Sequence, residues 1–98
     1  MIYTNEQIRN ITAPIAAAYG VKSLSLFGSY ARGEATENSD VDLLLDRGSG
    51  LHGWEIGGLY MDLSEALGKD LDLVTLSGAD EDFLRRIRQD EVVLYEQP

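Results

Sequence analysis

Apolar residues recur at helical spacing between Thr4 and Tyr19, where Ile8, Ile11, Ile15 and Ala18 share one face. Thr4 and Gln7 fit a capping box, in which a Thr hydroxyl and a Gln side chain satisfy free amides at the helix start. Gly20 suits the helix end, and Pro14 marks a point where the helix can bend. Core packing is the expected role of this helix. The period then shortens to that of a strand from Val21 to Phe27. A Gly28-Ser29 turn leaves that strand, with a short helix expected over Tyr30 to Glu34 and a polar loop over Ala35 to Ser39. The second strand runs from Asp40 to Leu45. Val41, Leu43 and Leu45 point to the core, and Asp40 and Asp42 to the opposite face.

Arg47 to Gly58 carries glycine at positions 48, 50, 53, 57 and 58, which predicts a mobile loop giving way to a helix. That helix ends at Gly68, and Trp54, Leu59, Leu63 and Leu67 supply its buried stripe. Leu71 to Leu76 reads as a third strand, with Asp72 and Val74 on one face. Ser77 and Asp80 open a last helix that is acidic at its start (Asp80, Glu81, Asp82) and basic in its second half (Arg85, Arg86, Arg88). This order complements the helix dipole, and its reading is structural. Phe83, Leu84 and Ile87 face inward, and Val92 to Tyr95 closes the chain as a short strand. No repeat, low-complexity tract or linker interrupts it, so residues 1–98 are expected to form a single domain.

Composition narrows the chemistry. With 98 residues the chain supports one modest core. The absence of cysteine excludes disulfides and thiolate metal sites, and one histidine cannot build a His-rich zinc site. A metal here must be held by oxygen, which points to Mg²⁺, Mn²⁺ or Ca²⁺. The net charge of −9 argues against nonspecific nucleic-acid binding, which needs Lys and Arg to displace phosphate counterions. It leaves two readings: a basic protein partner, or a solvated acidic surface. Met1-Ile2-Tyr3-Thr4 lacks the basic start of a signal peptide. No apolar run approaches the ~20 residues needed to cross a bilayer. A cytoplasmic location and no membrane partner are therefore expected.

The densest chemistry lies between Gly28 and Asp42. Asp40 and Asp42 alternate on a strand, so both carboxylates emerge on one side with Cα atoms roughly 6.6 Å apart. Beside a glycine turn they make a seat for Mg²⁺ and a nucleotide's phosphates. Gly28 lets backbone approach the phosphates with no Cβ in the way. Ser29, opening the short helix, adds a hydroxyl donor to the helix amides. A third carboxylate completes such a site. Asp72 is the better candidate, because an acid inside the apolar run Leu71, Leu73, Val74 must be paired or metal-bound. Asp70 is the rival, but it follows Gly68-Lys69 and reads as a loop residue.

Gly28-Ser29, then Asp40-Val41-Asp42, resembles the signature of the polymerase-beta-like nucleotidyltransferase superfamily. The fuller match, Gly-Ser-Tyr-Ala-Arg-Gly-Glu, Ser-Asp-Val-Asp-Leu and Asp72 in Leu-Asp-Leu-Val, resembles its minimal nucleotidyltransferase (MNT) branch over Val21 to Tyr95. The resemblance implies an α+β fold, a small mixed sheet flanked by helices. It implies ATP as substrate and two Mg²⁺ ions, with Asp40, Asp42 and Asp72 as metal ligands and Asp72 also as base. Gly28 and Ser29 become phosphate contacts. Arg32 either touches phosphate or pairs with Glu34 or Asp40.

MNT proteins of this size are similar to antitoxins that act on HEPN-domain ribonuclease toxins. The implied reaction transfers AMP from ATP to a tyrosine hydroxyl of the toxin, in a hetero-oligomer with it. AMP there blocks RNA by bulk and like charge. By the same resemblance, no helical domain of the kind with which larger nucleotidyltransferases grip an acceptor is expected within these 98 residues. Two alternatives stand beside this reading: an antitoxin acting by binding and occlusion alone, and a transferase modifying a small molecule such as an antibiotic. His52 reads either as a solvated loop residue or, with Trp54, as a flank for base or partner. Trp54 alone reads as a core or interface anchor, and Tyr30 as packing under the turn.

Overall fold

The computed structural model describes residues 1–98. Helix α1 spans Asn5–Tyr19 and carries the expected capping box, with Gln7 N donating to Thr4 Oγ1 and Thr4 N donating to Gln7 Oε1. It runs through Pro14 and ends at Gly20, whose φ of 73° only glycine adopts without strain. Its buried residues are Ile8, Thr12 and Ala16, with Ile11 and Ile15 partly covered. Ala18, expected on that face, is exposed. Buried Thr12 satisfies its hydroxyl by donating to Ile8 O at 2.8 Å.

Strand β1 (Ser23–Phe27) leads directly into α2 (Gly28–Arg32), which begins two residues earlier than the sequence suggests. Strand β2 covers Val41–Asp46, leaving Asp40 just ahead of it. A 3-10 turn at Gly53–Glu55 precedes α3 (Ile56–Leu67), then β3 spans Leu71–Thr75. A second 3-10 turn at Leu76–Gly78 ends β3 one residue early. Asp80 caps α4 (Glu81–Arg88) through Phe83 N, and β4 covers Val92–Glu96.

The sheet has the order β3-β2-β1-β4. β2 and β3 are parallel, joined over α3, and the other neighbours are antiparallel, so the sheet is mixed. Leu24, Leu26, Val41, Leu43, Leu45 and Leu71 point to one face and pack with Ile8 and Ala16 of α1 and Leu59, Leu63 and Leu67 of α3. Full burial of each such leucine contributes about 1.5–3 kcal/mol. The other face carries a smaller cluster of Phe27, Leu44 and Ile87, flanked by Val74, Phe83 and Leu84. Strand alternation puts Asp42 and Asp72 on this second, α4-bearing face.

Trp54 does not join the α3 stripe. It is 83% exposed, and Leu51, 3% exposed, anchors the glycine-rich segment to the core instead. Trp54 lies parallel to His52 at 6.2 Å between ring centroids.

Candidate active site

The parallel pairing of β2 with β3 places Asp42 opposite Asp72. Asp70 belongs to the approach of β3, where its carbonyl accepts from Val41 N at 3.1 Å. Register therefore puts Asp72, not Asp70, beside Asp42. One expectation fails here. Asp72 is exposed, because β3 is an edge strand and its apolar neighbours do not enclose it. Nothing about its burial obliges it to be paired.

Asp40, exposed, sits two residues before half-buried Asp42. Burial pushes the Asp42 carboxyl above its ordinary pKa, and the charges of Asp72 and then Asp40 push it further, against an opposing pull from Arg32. All three acids thus act on one small volume. As the side chains stand, no three acidic or imidazole groups close on a single point in metal-ligating geometry.

Gly28 explains why this volume exists. Its φ is 74°, and a Cβ there would lie 2.1 Å from Asp42 Oδ2. Only a residue without a side chain lets the Asp42 carboxylate lie against the start of α2. The antiparallel register of Phe27 with Asp42 fixes this approach. Ser29 follows in the first turn of α2, half-buried beside it.

Arg32 forks between Glu34 Oε1 at 3.2 Å and Asp90 Oδ2 at 3.3 Å. Its pKa is raised, first by the hydrogen bond to Asp90 and then by Glu34. Asp40, the other partner the sequence allowed, does not pair with it. Asp90 lies 58 positions away in sequence, so no local signal announced it. Tyr30 packs beneath the turn, as expected, and its buried hydroxyl has no partner. A cavity of about 220 Å³ opens beside Gly28, between α2 and α4.

The donor set fits a hard divalent cation. It consists of carboxylate oxygens, and crowding of negative charge at Asp42 is the kind a cation relieves. Asp40, Asp42 and Asp72 are the residues that would hold it.

The family model described as "Polymerase beta, Nucleotidyltransferase" matches residues 6–98. A relative from Methanocaldococcus jannaschii, provisionally named a protein adenylyltransferase, is 42% identical over 69 residues, 70% of this chain and 74% of that protein. A solved structure provisionally described as a minimal nucleotidyltransferase matches with a TM-score of 0.78 at 29% identity, covering 89% of each chain. A crystal structure of a toxin-antitoxin with AMP-PNP matches with a TM-score of 0.74 at 25% identity, covering 95% of this chain and 74% of that one.

Proposed function

The chain belongs to the polymerase beta nucleotidyltransferase family, and on that basis we propose that it is an antitoxin-type protein adenylyltransferase. Its reaction moves AMP from ATP to a tyrosine hydroxyl of a HEPN-domain toxin. The hydroxyl loses its proton to Asp72, and its oxygen forms a new bond to the α-phosphorus. The bond from that phosphorus to the bridging oxygen breaks, and pyrophosphate departs.

Each residue has a defined task in this reading. Asp40, Asp42 and Asp72 would hold the metal ions that accompany the nucleotide, and Gly28 and Ser29 border its phosphates where no side chain blocks access. Arg32, from the last turn of α2, reaches phosphate in exchange for a carboxylate partner. Two Mg²⁺ ions bound at the carboxylates would supply neutralisation of the triphosphate and polarisation of the attacking oxygen. Asp72 suits the proton-accepting role because exposure keeps it open to an acceptor arriving from outside. The toxin-antitoxin neighbour with AMP-PNP supports the nucleotide and a toxin as partner, and the Methanocaldococcus relative's name supports a protein acceptor.

The observation that carries the reading is the placement of Asp42 against Gly28 with Asp72 as its register partner. The test incubates the purified chain with α-labelled ATP, Mg²⁺ and a cognate HEPN protein. Label is expected on a tyrosine of the partner, and Asp42→Asn is expected to abolish it. Neutralisation of the toxin by the Asp42→Asn chain, with no label from the unaltered one, would replace transfer with occlusion.

A further inference from the structure

The arginines of α4 differ in their partners. Arg85 Nη1 donates to Asp82 Oδ1 at 2.8 Å, and Arg88 Nη1 donates to Glu91 Oε1 at 3.0 Å. Such pairs, three residues apart, are what a helix and its end supply locally. Arg86 makes no ion pair, in a chain with 17 acidic and only 8 basic residues. Its guanidinium instead lies over the Phe83 ring, 5.8 Å from the centroid. No hydrogen bond within the chain takes up the Arg86 N–H donors, unlike those of Arg85 and Arg88.

Arg86 lines two cavities, one shared with Asp80, Glu81, Asp82 and Arg85 and the other beside Gly28. Arg86 borders the cavity of about 220 Å³ that also touches Gly28, Arg32 and Asp90, over an apolar floor of Phe27 and Ile87. Gly28 is the residue against which Asp42 lies, so this cavity adjoins the carboxylates. It lies on the β1 side of them, whereas Asp72 and the sheet edge lie on the other. Arg32 and Arg86 bring two cations to this rim, where Arg32 is already paired with Glu34 and Asp90 and Arg86 is not paired.

We propose that Arg86 is a second phosphate-binding arm, which with Arg32 receives the two terminal phosphates of the nucleotide, the part released as pyrophosphate. The assignment rests on the nucleotide reading of the neighbouring carboxylates. It gives the ligand a direction across the sheet: terminal phosphates over β1 and α4, transferred phosphorus at Asp42, acceptor at the β3 edge. Paired guanidinium groups suit this end of the ligand, because charge gathers on the leaving pyrophosphate as the bond to the α-phosphorus breaks.

The test is calorimetric titration of the full chain with inorganic pyrophosphate and, separately, AMP, both with Mg²⁺. Arg86→Ala is expected to weaken pyrophosphate binding tenfold or more and to leave AMP binding within twofold. Arg85→Ala removes an adjacent, equally charged and already paired side chain, and is expected to bind both as the unaltered chain does. Unchanged pyrophosphate binding in Arg86→Ala overturns the proposal. So does an equal loss in Arg85→Ala, which would reduce the effect to net charge. An unaltered chain that binds neither AMP nor pyrophosphate would overturn the nucleotide reading itself.

Discussion

Asp42 and Asp72 occupy matching positions on two parallel strands, so like charges stand side by side on one face of the sheet. Burial first, then the charges of Asp72 and Asp40, raise the Asp42 pKa above its ordinary value of 3.8. The native state therefore holds the Asp42 proton more tightly than the unfolded chain does. Stability from this group is present below the ordinary value and is lost as pH rises through the raised native value. At neutral pH the ionised side chain destabilises the metal-free fold. Asp42→Asn is expected to melt at a higher temperature than the unaltered chain at pH 7, with the difference vanishing below the ordinary carboxylate range. Thermal scans without metal at both pH values check this.

The same variant should lose transfer activity. Several kcal/mol of charge stabilisation at a metal-assisted site correspond to a rate loss of about a thousandfold. A fold made firmer by the change that silences it would separate structural from catalytic cost. Single-turnover labelling of the partner provides the measurement.

Gly28→Ala is expected to harm chemistry more than folding. An alanine at φ 74° costs about 1–2 kcal/mol, and its Cβ would collide with Asp42 Oδ2. Displacing that carboxylate by about 1 Å is enough for roughly a hundredfold loss of rate. Urea unfolding and initial rates, measured together, distinguish the two effects.

Tyr30→Phe should stabilise the protein. The Tyr30 ring is buried, and its hydroxyl has no partner. Leaving such a group unsatisfied costs about 1–3 kcal/mol, so deleting the oxygen should raise the urea midpoint. A lower midpoint would mean that a water or ligand meets this hydroxyl in solution.

Trp54→Ala should change stability by no more than about 0.5 kcal/mol, since the ring is 83% exposed and fills no core position. The chain has one tryptophan, so its emission reports this site alone. Solvent-like emission and ready quenching by iodide are expected. A blue-shifted spectrum would contradict the exposed, His52-stacked placement.

Much of this arrangement was legible because it is local. The Thr4–Gln7 box, the Gly20 stop, and the alternation of Val41, Leu43 and Leu45 against Asp42 all follow from neighbours within a few residues. The Gly28-Ser29 turn with Asp40 and Asp42 was equally plain. What escaped depends on pieces distant in sequence. That β3 lies at an edge, leaving Asp72 exposed, is a fact of strand order, and an apolar run reads alike at the centre and the margin. The Arg32–Asp90 contact needs α4 to come back over β1. Trp54 lies five residues before Leu59, off the face that Leu59, Leu63 and Leu67 share on a helix, and it sits in a 3-10 turn while Leu51 reaches the core instead.

The open flank beside β3 has a consequence for how such a protein diversifies. An enzyme that swallows its acceptor must remodel an interior whenever the acceptor changes. Here one of the acids sits on the outermost strand, so under the proposed function recognition would fall to whatever surface docks alongside. New targets can then be acquired by drift in external contacts, with the phosphorus chemistry behind them left intact.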